Sequence, residues 1–121
     1  MNPSLSLGTD IVEVSRIGKL SKDERFLRRV FTPKEISYCK SKKHSAQHFA
    51  VRFAAKEAVW KALSCLAIRG IGHKEIGVGR LPSGQPVVSL SKRLKKFESK
   101  IALSLSHTHE YAVAVAVFQK K

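Results

Sequence analysis

Two carboxylates of this 121-residue chain occupy positions from which they could hold a metal ion. Asp10 ends a segment that reads as a buried strand, where a rigid backbone keeps a side chain in one place. Glu57 lies next to Phe53 and Trp60 in helical projection, and a carboxylate beside an apolar face needs a partner. Two carboxylates without a third protein ligand suit Mg²⁺, which keeps several waters and takes oxygens from a substrate. The pair therefore indicates a hard-cation site, for magnesium or for manganese.

Basic residues on the same predicted helix extend this interpretation to phosphate chemistry. Arg52 and Lys56 are four residues apart, so they share one helix face and flank Glu57. In phosphoryl-transfer sites, basic side chains hold the phosphates while carboxylates hold the cation. Simpler interpretations stay open at this point. Asp10 could cap the turn that follows it, and Glu57 could form an exposed i,i+4 ion pair with Lys61, worth a few tenths of a kcal/mol.

Other motifs that would assign a chemistry are absent from the sequence. The histidine pairs His44/His48 and His107/His109 have no cysteine neighbours, which makes a zinc site less favoured. Neither the G-x-x-x-x-G-K-[ST] loop nor the G-x-G-x-x-G fingerprint occurs, and G-x-S-x-G is also missing. A P-loop enzyme is thereby excluded.

The chain is strongly basic, with 23 Lys and Arg against 9 Asp and Glu and a formal net charge of +14. Most of the surplus lies in residues 16–69, which hold 14 basic and 4 acidic residues. Such a charge favours an acidic partner, either the phosphates of a nucleic acid or an acidic protein, and a merely solvated basic face is the third alternative. Composition does not choose between them, so a small basic nucleic-acid-binding domain remains the alternative function.

Several bulk features indicate a cytoplasmic protein. The longest apolar run, 111–118, is far shorter than the roughly 20 residues of a membrane helix. The first residues show no basic segment followed by an apolar one, so no signal peptide is expected. Cys39 and Cys65 form no C-x-x-C motif and are expected to be reduced.

Periodicity and turn signals predict one α+β domain over residues 1–121. Capping boxes at Ser21–Glu24 and Thr32–Glu35 open two short helices, and Phe49 and Phe53 begin the apolar face of a longer one. The predicted elements are, in chain order, a strand (4–10), helices (22–30, 33–42 and 45–66), two strands (75–80 and 86–90), a basic helix (91–99) and a hairpin (101–106 with 111–118).

Four motifs in this order resemble the holo-acyl-carrier-protein synthases, the small 4′-phosphopantetheinyl transferases of bacterial lipid synthesis. They are GTDIVE at Gly8–Glu13, FTPKE at Phe31–Glu35, RFAAKEA at Arg52–Ala58 and SLSHT at Ser104–Thr108. Together they span nearly the whole chain. The resemblance implies the α+β fold of that family, with a mainly antiparallel sheet packed on a long helix.

The resemblance also implies a reaction and a division of roles. The 4′-phosphopantetheine group of coenzyme A would pass to a serine of an apo acyl carrier protein, with release of adenosine 3′,5′-bisphosphate, in the service of fatty acid biosynthesis. Asp10 and Glu57 match the family's Mg²⁺ ligands, and Lys61 matches a lysine near the diphosphate. The positions that match contacts to coenzyme A are Arg52, Lys56, Gly84, Pro86, Ser106 and His107.

The implied partner is therefore an acidic carrier protein rather than a nucleic acid or a membrane. Arg16 matches a basic position of the family's docking helix, and Arg25 and Arg28 add to the same positive surface. Small members of the family are homotrimers with active sites between subunits, so we expect a homotrimer. One departure lies at 64–72, where the chain reaches its glycine turn later than family members do.

Overall fold

A 19-residue helix runs through the centre of the computed structural model, which describes residues 3–121 of the chain. The elements in chain order are β1 (Leu5–Glu13), α1 (Val14–Leu20), α2 (Glu24–Val30), α3 (Pro33–Lys40), α4 (Ser45–Leu63), β2 (Ile76–Arg80), β3 (Pro86–Leu90), β4 (Ile101–His107) and β5 (Tyr111–Gln119). Three 3₁₀ segments lie between them: Ser64–Leu66, His73–Glu75 and Lys92–Lys100.

The larger sheet is antiparallel with strand order β1-β5-β4, and its inner face packs on α4. Alternation in β5 puts Ala112, Ala114 and Ala116 on this inner face, where all three are fully buried. Small side chains let the helix approach the sheet closely. The approach is closest at Gly8, where an added Cβ would collide with the Ala58 carbonyl oxygen and lie 2.8 Å from the Ala62 nitrogen. The predicted α+β class, with an antiparallel sheet on a long helix, is confirmed.

The outer face of this sheet is apolar and exposed. Leu7 and Ile11 of β1 are 67% and 63% exposed, and Val115 of β5 is 41% exposed beside them. A strand with one buried face normally carries polar residues on the other, so this pattern is unusual for a sheet that faces water. Exposed apolar patches of this kind are typical of surfaces that contact other proteins.

Helix α4 is buried around most of its circumference, which explains its weak amphipathic pattern. Its buried residues include Phe49 and Phe53 from the predicted apolar face, and also Ala54 and Ala58 on other sides. The α-helix ends at Leu63 rather than 66, because the last turn tightens into the 3₁₀ segment.

Two predictions near the start of the chain need correction. The strand extends to Glu13, three residues beyond the predicted end, and α1 follows it where no helix was predicted. Ser21 does not form a capping box: it ends α1 and its hydroxyl donates to the Gly18 carbonyl at 2.7 Å. Asp23 caps α2 instead, accepting from the Arg25 amide at 2.9 Å.

The second predicted capping box is confirmed. The Glu35 amide donates to Thr32 Oγ1 at 3.2 Å, and the Thr32 amide donates to Glu35 Oε1 at 2.8 Å. The strands β2 and β3 pair as an antiparallel hairpin, as expected, whereas the basic segment after them is a 3₁₀ helix rather than an α-helix.

Both cysteines are free thiols, in keeping with the reduced state expected from the sequence. Cys39 is buried, and burial raises the pKa of its thiol to about 11. Within residues 3–121, no helix combines the length and the apolar character needed to cross a membrane. The cytoplasm stays a prediction.

Candidate active site

Asp10 lies on the inner face of β1, opposite Ala114 of the central strand, where it points toward α4. One carboxylate oxygen, Oδ1, accepts a long hydrogen bond from Lys61 Nζ at 3.4 Å. The other, Oδ2, is buried and has no hydrogen-bond partner among residues 3–121. An ionised carboxylate accepts several hydrogen bonds in water, so this oxygen has lost solvation without replacement.

The pKa of Asp10 reflects the same loss of solvation. Burial raises the pKa of the Asp10 carboxyl above its ordinary value, and the negative charge of Glu57 adds to the rise. Lys61 opposes both effects through its charge and its hydrogen bond. The Glu57 charge thus disfavours the ionised form of Asp10, and a cation in the space between β1 and α4 would favour it.

Lys61 contacts Asp10 rather than Glu57. Its ammonium donates to the Thr9 carbonyl at 2.9 Å as well as to Asp10, while the side chain remains 48% exposed. The simple interpretation of Glu57 as half of an i,i+4 ion pair with Lys61 is therefore wrong. The lysine extends along the strand and keeps its positive charge beside the Asp10 carboxylate.

Glu57 has a different partner, His73, which sequence reasoning did not single out. His73 Nε2 lies 3.1 Å from Glu57 Oε2, and its ring stacks on Phe53 with an interplanar angle of 15°. A cavity of about 280 Å³ opens beside this pair, lined otherwise by Trp60, Ile71 and Ile76. No periodicity connects residues 16 positions apart in a helix and a 3₁₀ turn, so only the folded chain shows the contact.

The donor set fits a hydrated, hard cation. Among the residues that the structure describes, no group of three His, Cys, Asp or Glu side chains lies close enough together to hold a metal. Asp10 and Glu57 would supply two oxygens, one of them the unsatisfied Oδ2. Mg²⁺ binds in this way, through one or two carboxylates plus waters and substrate phosphates.

Lys56 must be reassigned from the phosphate site to the core. Its side chain is fully buried, and Nζ lies 2.8 Å from Glu35 Oε1. Nζ also donates to the carbonyls of His73 at 3.0 Å and Ile76 at 2.6 Å. Since an ammonium has three donors, all are used, and none remains for a phosphate.

Arg52 also departs from the predicted arrangement around Glu57. Its side chain is nearly buried, with the guanidinium 4.4 Å from the centre of the Tyr38 ring and one nitrogen 3.3 Å from the His48 carbonyl. It lines a separate cavity of about 550 Å³ that also contains Lys34 and Arg80. Arg52 and Lys56 therefore do not flank Glu57, although Arg52 still lines a cavity in which basic side chains outnumber the two carboxylates of Glu35 and Glu75.

The remaining predicted contacts lie away from the carboxylates in a single chain. Ser106 shares the outer face of the sheet with Ile11, two strands away, whereas Asp10 faces inward. His107 follows at the exposed end of β4. Gly84 adopts a φ of +90° in the turn before Pro86, at the tip of the other hairpin. One chain therefore does not assemble the complete set.

The basic residues predicted to meet a partner are exposed. Arg16 lies on α1, and Arg25 and Arg28 lie on α2, all three on the solvent side of their short helices. The buried sides of these helices are apolar, through Ile17 and Leu27. The arrangement presents a positive surface with no acidic counterpart on α1.

Comparison with known proteins places these features in a family context. The sequence model of one protein family, the 4′-phosphopantetheinyl transferase superfamily, matches residues 6–116 of the chain. A holo-[acyl-carrier-protein] synthase of Geotalea daltonii is 45% identical over 93% of this chain and 96% of its own length.

Solved structures of holo-[acyl-carrier-protein] synthases have a similar fold. Holo-[acyl-carrier-protein] synthase from Neisseria meningitidis superposes with a TM-score of 0.83 at 32% identity, covering 95% of this chain and 98% of that one. The Helicobacter pylori synthase, solved in complex with coenzyme A, gives 0.77 at 34% identity, covering 91% and 96%.

Proposed function

The chain belongs to the 4′-phosphopantetheinyl transferase superfamily, and on that premise we propose that it transfers the 4′-phosphopantetheine group of coenzyme A to a serine of an apo acyl carrier protein. The second product is adenosine 3′,5′-bisphosphate, and the reaction serves fatty acid biosynthesis. The observation that carries the proposal is the carboxylate pair at Asp10 and Glu57, with one buried oxygen unsatisfied.

In this proposal Asp10 and Glu57 hold a magnesium ion. Such an ion would supply positive charge that offsets the negative charge of the coenzyme A diphosphate during the transfer. Lys61 Nζ, beside Asp10 and half exposed, brings a further positive charge to the same diphosphate. The apolar cavity next to Glu57 suits the pantetheine arm, because Trp60, Ile71 and Ile76 can cover it and exclude water.

Complementary charge attracts the carrier protein to the basic surface of this chain. Acyl carrier proteins are acidic partners in this proposal, and Arg16, Arg25 and Arg28 present the matching positive surface. Arg52, the half-buried Pro86 and the exposed residues Gly84, Ser106 and His107 remain proposed contacts of coenzyme A, reached from a neighbouring subunit where one chain does not bring them together. Lys56 is not among them, since its ammonium is buried and fully bonded.

Mass spectrometry of the carrier protein tests the proposal. With coenzyme A and Mg²⁺, an apo acyl carrier protein is expected to gain the mass of one phosphopantetheine group, and a Ser→Ala carrier protein is not. An unchanged mass in both would refute the transfer. The net charge of +14 favours nucleic acid as the other candidate partner; tight, steeply salt-dependent binding to DNA or RNA without transfer would then support that function.

We expect a homotrimer held together by the exposed apolar face of the sheet. In light scattering after size exclusion, the protein should show three times the 13.5 kDa of one chain. Ile11→Lys puts a charge in the middle of this face, on a side chain that is 63% exposed in a single chain, so it should dissociate the assembly without unfolding the subunit.

Ser99→Lys is the matched control for this substitution. It adds the same charge at an exposed position in the 3₁₀ segment, off the apolar face, and should leave the assembly intact. An Ile11→Lys protein with the mass of the unchanged assembly would show that this face is not the subunit contact.

A further inference from the structure

The contact with His73 gives Glu57, a proposed metal ligand, a side-chain partner. Nε2 of His73 lies 3.1 Å from Oε2 of Glu57, and both side chains are about one-third exposed. An ionised carboxylate only accepts hydrogen bonds, so the imidazole nitrogen is the donor. Within the described part of the chain, the other oxygen of Glu57 makes no hydrogen bond.

The structure holds His73 firmly enough to orient its neighbour. The ring stacks on Phe53 with centroids 5.7 Å apart, so the imidazole plane is fixed by a residue one helical turn before Glu57. The backbone of His73 is also tied down, because its carbonyl accepts from the buried ammonium of Lys56 at 3.0 Å. Lys56 in turn is fixed by Glu35. Both the ring and the main chain of His73 are therefore anchored to α4, the helix that carries Glu57.

We propose that His73 is a positioning residue for Glu57. By donating to Oε2, it keeps the carboxylate in one rotamer and leaves Oε1 for the cation. Carboxylates that bind metals are commonly held by such outer partners, and removal of the partner typically weakens metal binding about 10–100-fold. This inference rests on the proposed function, because it assigns a role at the same metal site.

A binding experiment with Mn²⁺ tests this role independently of turnover. Free Mn²⁺ would be measured by electron paramagnetic resonance during titration of the full-length protein, with coenzyme A present. His73→Phe keeps an aromatic ring on Phe53 but removes the donor, and should weaken Mn²⁺ binding about tenfold. His73→Gln returns an N–H donor at similar reach and should recover most of the affinity. Thermal melts of both variants should stay close to that of the unchanged protein.

The outcomes separate this role from the proposed function. Unchanged Mn²⁺ affinity in His73→Phe would overturn the positioning role while leaving the metal site in place. Equally weak binding in His73→Gln and His73→Phe would overturn the donor assignment. If Asp10→Ala does not reduce Mn²⁺ binding in a protein with His73 intact, the metal site itself fails and the role of His73 with it. In the transfer assay, His73→Phe should need a higher Mg²⁺ concentration than the unchanged protein to reach its half-maximal rate. His73→Gln should need a concentration close to that of the unchanged protein.

Discussion

Replacing Asp10 by alanine should lower the rate of phosphopantetheine transfer by about a thousandfold, and replacing Glu57 should do the same. The reason is that each variant loses one of the two ligands that we propose for the cation. Charge stabilisation by such a cation is worth several kcal/mol, and about 1.4 kcal/mol corresponds to a factor of ten. Stability should change little in Asp10→Ala, since the buried Oδ2 makes no hydrogen bond within residues 3–121 and Oδ1 accepts only a long bond, 3.4 Å, from the half-exposed Lys61. Mass spectrometry of the carrier protein measures the rate, and circular dichroism the melting temperature.

A matched acidic control is Glu110→Ala. Glu110 is exposed in the turn between β4 and β5, so its removal changes the net charge by the same amount without touching the carboxylate pair. Asp10→Asn keeps the shape of the side chain and tests the charge alone. Normal turnover in Glu57→Ala would mean that Glu57 serves only its contact with His73 and has no part in catalysis.

Loss of the Glu35 charge should have the largest effect on stability. In Glu35→Gln we expect the free energy of unfolding to fall by about 3–5 kcal/mol, the usual cost of leaving one member of a buried ion pair uncompensated. Lys56 is fully buried, and Glu35 is 4% exposed while also accepting from the Val78 amide at 2.7 Å. The substitution therefore weakens a link among α3, α4 and β2. Urea denaturation followed by circular dichroism measures it.

Glu24→Gln is the control for this experiment. Glu24 pairs with Lys40 at 2.7 Å, but both side chains are at least half exposed, so the loss should be much smaller than that of Glu35→Gln. A double variant, Glu35→Leu with Lys56→Met, removes both charges together, so it should cost less than the two single losses added, although the Val78 amide and the Ile76 carbonyl lose their partners. Equal costs for Glu35→Gln and Glu24→Gln would show that the buried pair contributes no more than a surface pair.

Local rules predict the elements of this fold well where sequence and environment agree. Alternating valines and alanines predict β5, and the Thr32–Glu35 box predicts the start of α3. Periodicity and propensity do not predict helix α1, because the segment has only seven residues and contains Gly18, and glycine disfavours helix. The structure shows a reason for that glycine: a Cβ there would lie 3.0 Å from the Cβ of Ala46, so α1 packs closely on α4.

The candidate site is less predictable, because its contacts join distant segments. The motifs indicate Asp10 and Glu57, and the spacing of Arg52 and Lys56 correctly places them on one side of α4. Spacing does not show, however, that this side is buried. The partner of Lys56 is Glu35 on another helix, and the partner of Glu57 is His73 in a 3₁₀ turn. Neither pair has a periodic signal, so only tertiary packing reveals them.

The alternation of β1 has a consequence for how this segment can change in evolution. Asp10 faces α4, while Thr9 and Ile11 on either side face outward, so two surfaces are encoded in one strand. Inserting or deleting a single residue before Asp10 would turn the carboxylate to the outer face and bring an outward-facing side chain against Ala58, where only a glycine fits. The strand can therefore accept many substitutions but no change of length by one residue. A change by two residues would restore the facing while moving the carboxylate along the helix, so the position of Asp10 against α4 also fixes the length of β1.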